Sequence, residues 1–241
     1  MVLCKIGWGV HQSDNWTDDV SDNAEYINEL LQEILKDDST TGIEIEGSMA
    51  GVRYDRLHDV LVTSRYVSLF RAEWFAVSVL CDALEHRDCQ ITDILLSIAP
   101  GHGFNAPRLS RAFKDNKSLR VVRRVDLEVM RSVTHSTTVE TLWPTLARGE
   151  LCPEDLRAMV AMPALCDIRS CNADFMRAAF RASRVEWPDS VCPVFGVLLR
   201  SPNVLRHHSR QILRALYECA GRVLPDHVIH DIAAEVRLQV Y

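Results

Sequence analysis

Residues 175–191 have the sequence FMRAAFRASRVEWPDSV, and residues 212–228 have the sequence ILRALYECAGRVLPDHV. Both segments carry Arg-Ala at their third and fourth positions and Pro-Asp near their ends, and they begin 37 residues apart. Each starts with an apolar helical pattern of about three turns and continues into a second helix that proline opens. The two segments therefore predict a repeated helical hairpin.

Three earlier segments fit the same spacing of apolar anchor residues. The first anchors of the five units are 34, 33, 33 and 37 residues apart: Phe75, Leu109, Leu142, Phe175 and Ile212. A hairpin of this size cannot bury its own apolar stripes, so neighbouring units must stack. The sequence predicts an all-α fold, an α-solenoid of stacked helical hairpins. A compact irregular helical bundle is the alternative.

The charge pattern divides the chain near residue 60. Residues 1–60 hold 13 Asp+Glu against 4 Lys+Arg, whereas the other 181 residues have a net charge of +3. Within the acidic segment, an amphipathic pattern predicts one helix over about residues 22–36 and a loop at 38–52. Residues 61–241 are predicted to form the α-helical repeat domain.

The repeat spacing, the Pro-Asp boundary and the first helix that contains Arg-Ala resemble the pentatricopeptide, heptatricopeptide and related organellar helical-repeat families. The resemblance covers roughly residues 72–239 and includes no tetratricopeptide Trp/Gly/Tyr signature and no fixed base-reading positions. It implies single-stranded RNA binding or a structural place in an RNA–protein assembly, often mitochondrial.

Basic residues supply the candidate binding site. Arg111, Arg177 and Arg214 each lie two residues after the first anchor of their unit, so stacking would align them along one face. Guanidinium groups spaced along a groove suit a phosphate backbone, although these arginines could equally be solvated or bridge to acids such as Glu186. A basic stretch at 108–131 adds six further candidates: Arg108, Lys114, Lys117, Arg120, Arg123 and Arg124.

The motifs give no positive support for catalysis, a cofactor or a metal site. Residues 101–106, GHGFNA, superficially match a dinucleotide-binding motif, but prolines flank them and residues 91–98 occupy the second-helix position of a unit, which favours a loop. The eight cysteines include no C-x-x-C pair, which indicates reduced thiols in an intracellular compartment, mitochondrial or cytoplasmic. The apolar runs are far shorter than the ~20 residues of a membrane helix, so no membrane insertion is expected.

The sequence predicts a non-enzymatic subunit that acts as a scaffold in an RNA–protein assembly and contacts single-stranded or structured RNA. Its expected partners are other protein subunits and RNA. Two alternatives stay open. The first is a purely protein-binding adaptor or structural subunit of a large complex, and the second is a small helical enzyme or effector with an unrecognised site. Salt-sensitive binding to single-stranded RNA would separate the RNA hypothesis from the adaptor.

Overall fold

A parallel β-sheet organises the chain. The computed structural model describes residues 2–7, 19–37, 40–46, 49, 51–72, 74–98, 105–145, 151–169, 173–189, 193, 194 and 197. Across these residues, seven strands form one sheet in chain order: β1 (Val2–Gly7), β2 (Thr40–Glu46), β3 (Tyr66–Ala72), β4 (Asp93–Ile98), β5 (Val121–Val125), β6 (Thr141–Pro144) and β7 (Asp167–Ile168). Every neighbouring pair of strands is parallel.

Helices alternate with the strands. The described ones are α1 (Asp19–Ile34), α2 (Tyr54–Thr63), α3 (Trp74–Glu85), α4 (Ala106–Asp115), α5 (Leu127–Val133), α6 (Pro153–Val160) and α7 (Ala173–Glu186). Crossovers between neighbouring parallel strands are right-handed, so a sheet in chain order carries all its crossover helices on one face. In agreement, α1 to α5 contact one another in sequence and α6 contacts α7. The described residues therefore form an α/β solenoid, in which strands and helices alternate along the chain.

The strands form because apolar residues recur in register across the sheet. One column of paired positions runs through Cys4, Ile43, Val67, Ile94, Val122, Leu142 and Ile168. From Ile43 onward every member is 0% exposed, because the helices cover this face. The members from Ile43 onward are 20 to 28 residues apart, so the structural repeat is shorter than the 33–37 residues inferred from the helical pattern.

The turns into β4, β5, β6 and β7 are closed by the same hydrogen bonds. The carbonyl of Thr92 accepts from the amides of Arg120 and Val121 at 2.9 and 3.0 Å, and the carbonyls of Arg65, Arg120 and Glu140 each accept two amides from the next strand in the same way. The buried Asn116 side chain closes one such turn by accepting from the Leu119 amide at 2.7 Å and donating to the Leu84 carbonyl at 2.9 Å. Helix, turn and strand thus repeat as one unit.

The predicted all-α solenoid is wrong, and so is the irregular helical bundle. Leu142, one of the five anchors, lies in β6, and residues 91–98, assigned to a second helix, contain β4. Short apolar runs such as those in β4 are as compatible with a buried strand as with a buried helix, so periodicity does not separate the two. The described residues therefore form an α/β repeat and not the predicted α-helical repeat.

The N-terminal quarter belongs to the same sheet. The predicted division at residue 60 falls within α2, and β2 pairs directly with β3 across it. The predicted helix at 22–36 corresponds to α1, and the predicted loop at 38–52 contains β2. Residues 212–228 lie outside the described residues. Within the part of the chain that is described, no helix is long and apolar enough to cross a membrane.

The layer widths favour a curved arrangement of helices and sheet. Packed helices are about 8–10 Å apart, whereas neighbouring strands are about 4.8 Å apart, so the helical layer needs more room than the sheet. We therefore expect the sheet to lie on the inside of the curve. We call the sheet face that points away from the helices the concave face.

Candidate binding surface

Two rows of paired strand residues form the concave face. Successive strand side chains point to opposite faces, so the residues between the buried column positions are directed away from the helices. The first row is Tyr66, Asp93, Val121, Thr141 and Asp167, and the second is Glu44, Ser68, Leu95, Arg123 and Trp143. These rows place aromatic, basic and acidic side chains next to one another on neighbouring strands.

Arg123 holds the centre of this face. Its Cζ lies 4.6 Å from the ring centroid of Trp143 on β6 and 5.8 Å from that of Tyr66 on β3. Its Nε also donates to the Asp93 carboxylate at 2.8 Å. Cation–π contacts and a charge-assisted hydrogen bond fix the long side chain in one place. A ligand that binds here therefore meets a preordered surface and loses little side-chain entropy on binding.

Two unsatisfied polar atoms lie at the β6–β7 end of the concave face. The Nε1 of Trp143 and the Oδ1 of Asp167 are buried and have no hydrogen-bond partner. The second carboxylate oxygen of Asp167 accepts from Arg169 Nε at 2.5 Å, and the Arg169 guanidinium lies over the Trp143 ring at 5.5 Å. A buried polar group without a partner costs about 1–3 kcal/mol. These two atoms are therefore a local cost to stability at this end of the sheet.

Arg71 and Arg124 lie at the carboxyl ends of their strands in an unusual backbone conformation. Their φ angles are 51° and 56°, and the strand register shifts around both residues, as in a β-bulge. Both side chains are exposed, and their Cζ atoms lie 5.4 and 5.0 Å from the ring centroid of Phe70. Neither arginine forms an ion pair with a described residue. A left-handed conformation costs a residue other than glycine about 1–2 kcal/mol, and such strain concentrates at functional sites.

We expect Arg124→Gly to change the free energy of unfolding by less than about 1 kcal/mol. The substitution relieves the left-handed strain but deletes one cation–π contact, and these effects are similar in size and opposite in sign. The matched change Arg123→Gly, in ordinary extended backbone, removes an ion pair and two ring contacts and should cost about 2 kcal/mol. Urea denaturation measures both. A larger loss for Arg124→Gly than for Arg123→Gly would show that Arg124 serves stability.

The structure separates the members of the predicted basic stretch. Arg123 and Arg124 lie on the concave face, whereas Arg108 points toward α3 and donates to Ser78 and Asp82. Arg120 lies at the amino end of β5, where it donates to the Lys117 carbonyl at 3.0 Å and pairs with Glu140 at 3.3 Å. Arg108 and Arg120 therefore connect elements of the fold, and Lys117 is exposed in the turn before β5.

A polar cluster explains the position of Arg108. The Tyr54 hydroxyl on α2 donates to the same Asp82 carboxylate that receives Arg108. Burial and the nearby Asp82 raise the pKa of Tyr54 to about 12. The cluster ties α2, α3 and α4 together on the helical side of the sheet.

The predicted arginine column is not assembled as stacked hairpins would require. Arg111 is on α4 and Arg177 is on α7, where it pairs with Asp174 at 3.2 Å. Two helices, α5 and α6, come between α4 and α7 in the chain, and Arg214 lies outside the described residues. Arg111 and Lys114 instead line a shallow groove of about 600 Å³ between α4 and α5, together with Arg131 and His135.

Asp155 holds Arg131, which lines this groove, in place. Its carboxylate accepts from Arg131 Nε at 2.8 Å and from the Cys152 amide at 3.0 Å, so it joins α5 to the start of α6. Burial acts to raise the pKa of Asp155, but the hydrogen bonds from Arg131 and Cys152 outweigh burial and hold the pKa below its ordinary value. The charged form is therefore the one that stabilises the fold.

We expect Asp155→Asn to lower the free energy of unfolding by about 1–3 kcal/mol at pH 7. Because the folded pKa lies below the unfolded pKa, the charged group stabilises the fold above the unfolded pKa, and this stability is lost as pH falls through the folded pKa. The difference between wild type and variant should be constant above about pH 5 and shrink below about pH 4. Urea denaturation from pH 7 to pH 3 measures it, with the exposed Asp88→Asn as control. An equal difference at pH 3 and pH 7 would contradict this assignment.

The described cysteines and acids form neither disulfides nor a metal-binding group. Cys4, Cys81, Cys89, Cys152 and Cys166 carry no disulfide. Within the described ranges, no three His, Cys, Asp or Glu side chains converge into a metal-binding group.

Sequence reasoning missed most of this surface. Tyr66, Phe70, Arg71, Trp143 and Arg169 were not predicted as site residues. The available signal was the strand alternation itself, in which Val67 and Leu69, or Ile94 and Leu96, bury every second side chain and direct the residues between them outward. Only a strand assignment makes that signal visible.

No family model matches the sequence, and no curated protein is significantly similar to it. These comparisons neither confirm nor refute the resemblance to the organellar helical-repeat families. Function is therefore inferred from the geometry of the concave face.

Proposed function

We propose that the protein is a non-catalytic scaffold subunit that binds a partner protein on its concave face. The observation that carries the proposal is the stack of Tyr66, Arg123 and Trp143 across β3, β5 and β6. Trp, Tyr and Arg are the residue types that dominate the energies of protein interfaces. In this protein the three side chains are neighbours, and each is half-buried.

The architecture supports binding on this face. Parallel sheets usually have both faces covered, and the described helices cover one face of this sheet. Solenoids use their concave surfaces to hold extended partners, because curvature brings many repeats within reach of one ligand. The aromatic side chains on the concave face would lose contact with water when such a partner binds.

The charges on the concave face favour a partner segment that combines acidic and apolar residues. Arg123 and Arg169 are paired with Asp93 and Asp167, whereas Arg71 and Arg124 form no ion pair with the described residues. The exposed Glu46 lies at the β2 end. A segment that runs across β3 to β6 would therefore place apolar side chains on the rings and acidic ones beside the unpaired arginines.

A peptide library tests the proposal. Random 12-residue peptides displayed on phage are selected on the wild-type protein, and the affinities of the selected peptides are measured by fluorescence anisotropy. We expect selection of acidic and apolar sequences, and at least a tenfold loss of affinity in Arg123→Ala. Arg111→Ala, which removes the same charge from the helical side, should change nothing.

A second variant and a nucleic acid probe complete the experiment. Leu95→Arg places a larger side chain on the concave face and leaves the stack of Tyr66, Arg123 and Trp143 intact. This variant should also block binding of the peptides. If no peptide is enriched, or if Arg111→Ala weakens binding as much as Arg123→Ala, the proposal is wrong. If a labelled single-stranded RNA binds with strong salt dependence and displaces the peptides, the concave face is an RNA-binding surface, because aromatic rings beside arginines also stack bases.

A further inference from the structure

We infer that Arg71 and Arg124 bind a phosphate monoester on the partner, carried by a phosphorylated serine or threonine. The inference rests on the proposed function, since it names the modification that the concave face recognises. Its basis is the cluster of Phe70, Arg71 and Arg124 at the carboxyl ends of β3 and β5.

The geometry concentrates positive charge. Both guanidinium carbons lie within 5.4 Å of the centroid of one ring, so the distances to the ring limit their separation to about 10 Å. No carboxylate of a described residue pairs with either group, whereas Arg123 on the same face is paired with Asp93. Two guanidinium groups against one ring, with no described acid beside them, are suited to an anion from outside the protein.

The backbone fixes this arrangement. Each arginine occupies a bulge with positive φ, a position for which glycine would be the least strained residue. Both side chains lie against the ring of Phe70 on β3. Ligands of parallel α/β sheets bind at the carboxyl ends of the strands, which is where this cluster lies.

The two arginines, with a combined charge of +2, favour a ligand group that carries more than one negative charge. A phosphate monoester carries about −1.5 to −2 at pH 7 and offers three acceptor oxygens, whereas a carboxylate carries −1 and offers two. Guanidinium groups donate pairs of hydrogen bonds to such oxygens. Two arginines thus match a phosphoserine or phosphothreonine in charge and in donors. The neighbouring stack of Tyr66, Arg123 and Trp143 would contact the partner residues on either side of the phosphorylated one.

Three peptide libraries test the inference. They are degenerate at all positions except the central one, which is phosphoserine, serine or glutamate. An equimolar mixture is passed over immobilised protein, and the retained peptides are counted by mass spectrometry. We expect at least tenfold enrichment of the phosphoserine library over the serine library, with the glutamate library between them.

Charge-matched variants locate the effect. Arg71→Gln and Arg124→Gln should each reduce the phosphoserine enrichment at least threefold, and the double variant should abolish it while still retaining serine peptides. Arg111→Gln and Lys114→Gln remove the same charge from the helical side and should leave the enrichment unchanged. The arginine Nε–Hε signals of Arg71 and Arg124 should shift in NMR spectra on addition of phosphoserine peptides and not of serine peptides.

The outcomes separate this inference from the proposed function. Equal retention of phosphoserine, serine and glutamate peptides, or an enrichment that survives in the Arg71→Gln/Arg124→Gln double variant, overturns the phosphate inference and leaves the scaffold proposal intact. Glutamate peptides retained as well as phosphoserine peptides would assign the site to carboxylates instead. Retention of none of the three libraries would overturn the scaffold proposal as well.

Discussion

Val122→Asn is expected to lower the free energy of unfolding by about 3 kcal/mol or more, whereas Val121→Asn should lower it by less than about 1 kcal/mol. Val122 is 0% exposed and lies between Ile94 and Leu142 in the buried column. Its replacement loses about 1.5–3 kcal/mol of apolar burial and adds an unsatisfied amide that costs about 1–3 kcal/mol. Val121 is half-buried on the concave face, where the amide can reach water.

The two variants form a matched pair. They have the same chemical change in adjacent residues of one strand, so their difference measures the alternation of a sheet and nothing else. Urea denaturation followed by circular dichroism gives both values, with the slope of the transition as the check that the folded states are equally compact. Equal destabilisation by the two substitutions would contradict a strand at 121–125.

The sequence signals were correct for the helices and misleading for the strands. The amphipathic pattern after Asp22 corresponds to α1, and the anchors Leu109 and Phe175 are fully buried in α4 and α7. Leu142 failed as a helical anchor because a strand of four residues contains too few positions to show an alternating pattern. The spacing of 33–37 residues does not match the structural repeat of 20 to 28 residues, so the predicted helical-hairpin repeat was wrong.

The repeat was obscured for a physical reason. A strand in this sheet needs only two or three inward-facing apolar residues, such as Ile94 and Leu96. The paired apolar residues on the neighbouring strands cover the rest of their surface. Helices need apolar residues on every turn and so dominate any search for periodicity. Residues 91, 94 and 96 are all apolar, but Ser64 takes the first of these positions before β3 and Arg124 takes the last in β5, so no single apolar pattern marks every strand.

The candidate site was predictable only in part. Arg123 and Arg124 were included in the basic stretch by their charge, but the partners of Arg123, which are Asp93, Tyr66 and Trp143, come from three other strands. Sequence gives no indication of this proximity, because the pairing register of the sheet creates it. The left-handed conformation of Arg71 was equally invisible, since arginine has no preference for it.

Trp143→Ala is expected to weaken binding of the peptides selected on the concave face by at least 30-fold, which corresponds to about 2 kcal/mol. The ring centroid of Trp143 lies 4.6 Å from Cζ of Arg123 and 5.5 Å from Cζ of Arg169. Removal of the ring therefore loosens both guanidinium groups and also removes an aromatic contact surface for the peptide. Fluorescence anisotropy with the selected peptides measures the loss. Tyr26→Ala removes an aromatic side chain that is 64% exposed on α1 and should leave the affinity unchanged.

Trp143→Phe separates binding from folding. Phenylalanine keeps an aromatic ring beside the arginines but lacks the indole N–H, which is buried and unpaired in this structure. Removing an unsatisfied buried donor relieves its desolvation cost, so the free energy of unfolding should fall by no more than about 1 kcal/mol. Because Nε1 is buried, a bound peptide contacts the ring and not the N–H, so the same substitution should weaken its binding far less than Trp143→Ala does. Unchanged affinity in both Trp143→Phe and Trp143→Ala would show that this ring packs against the fold and takes no part in recognition, which would remove the central anchor of the proposed surface.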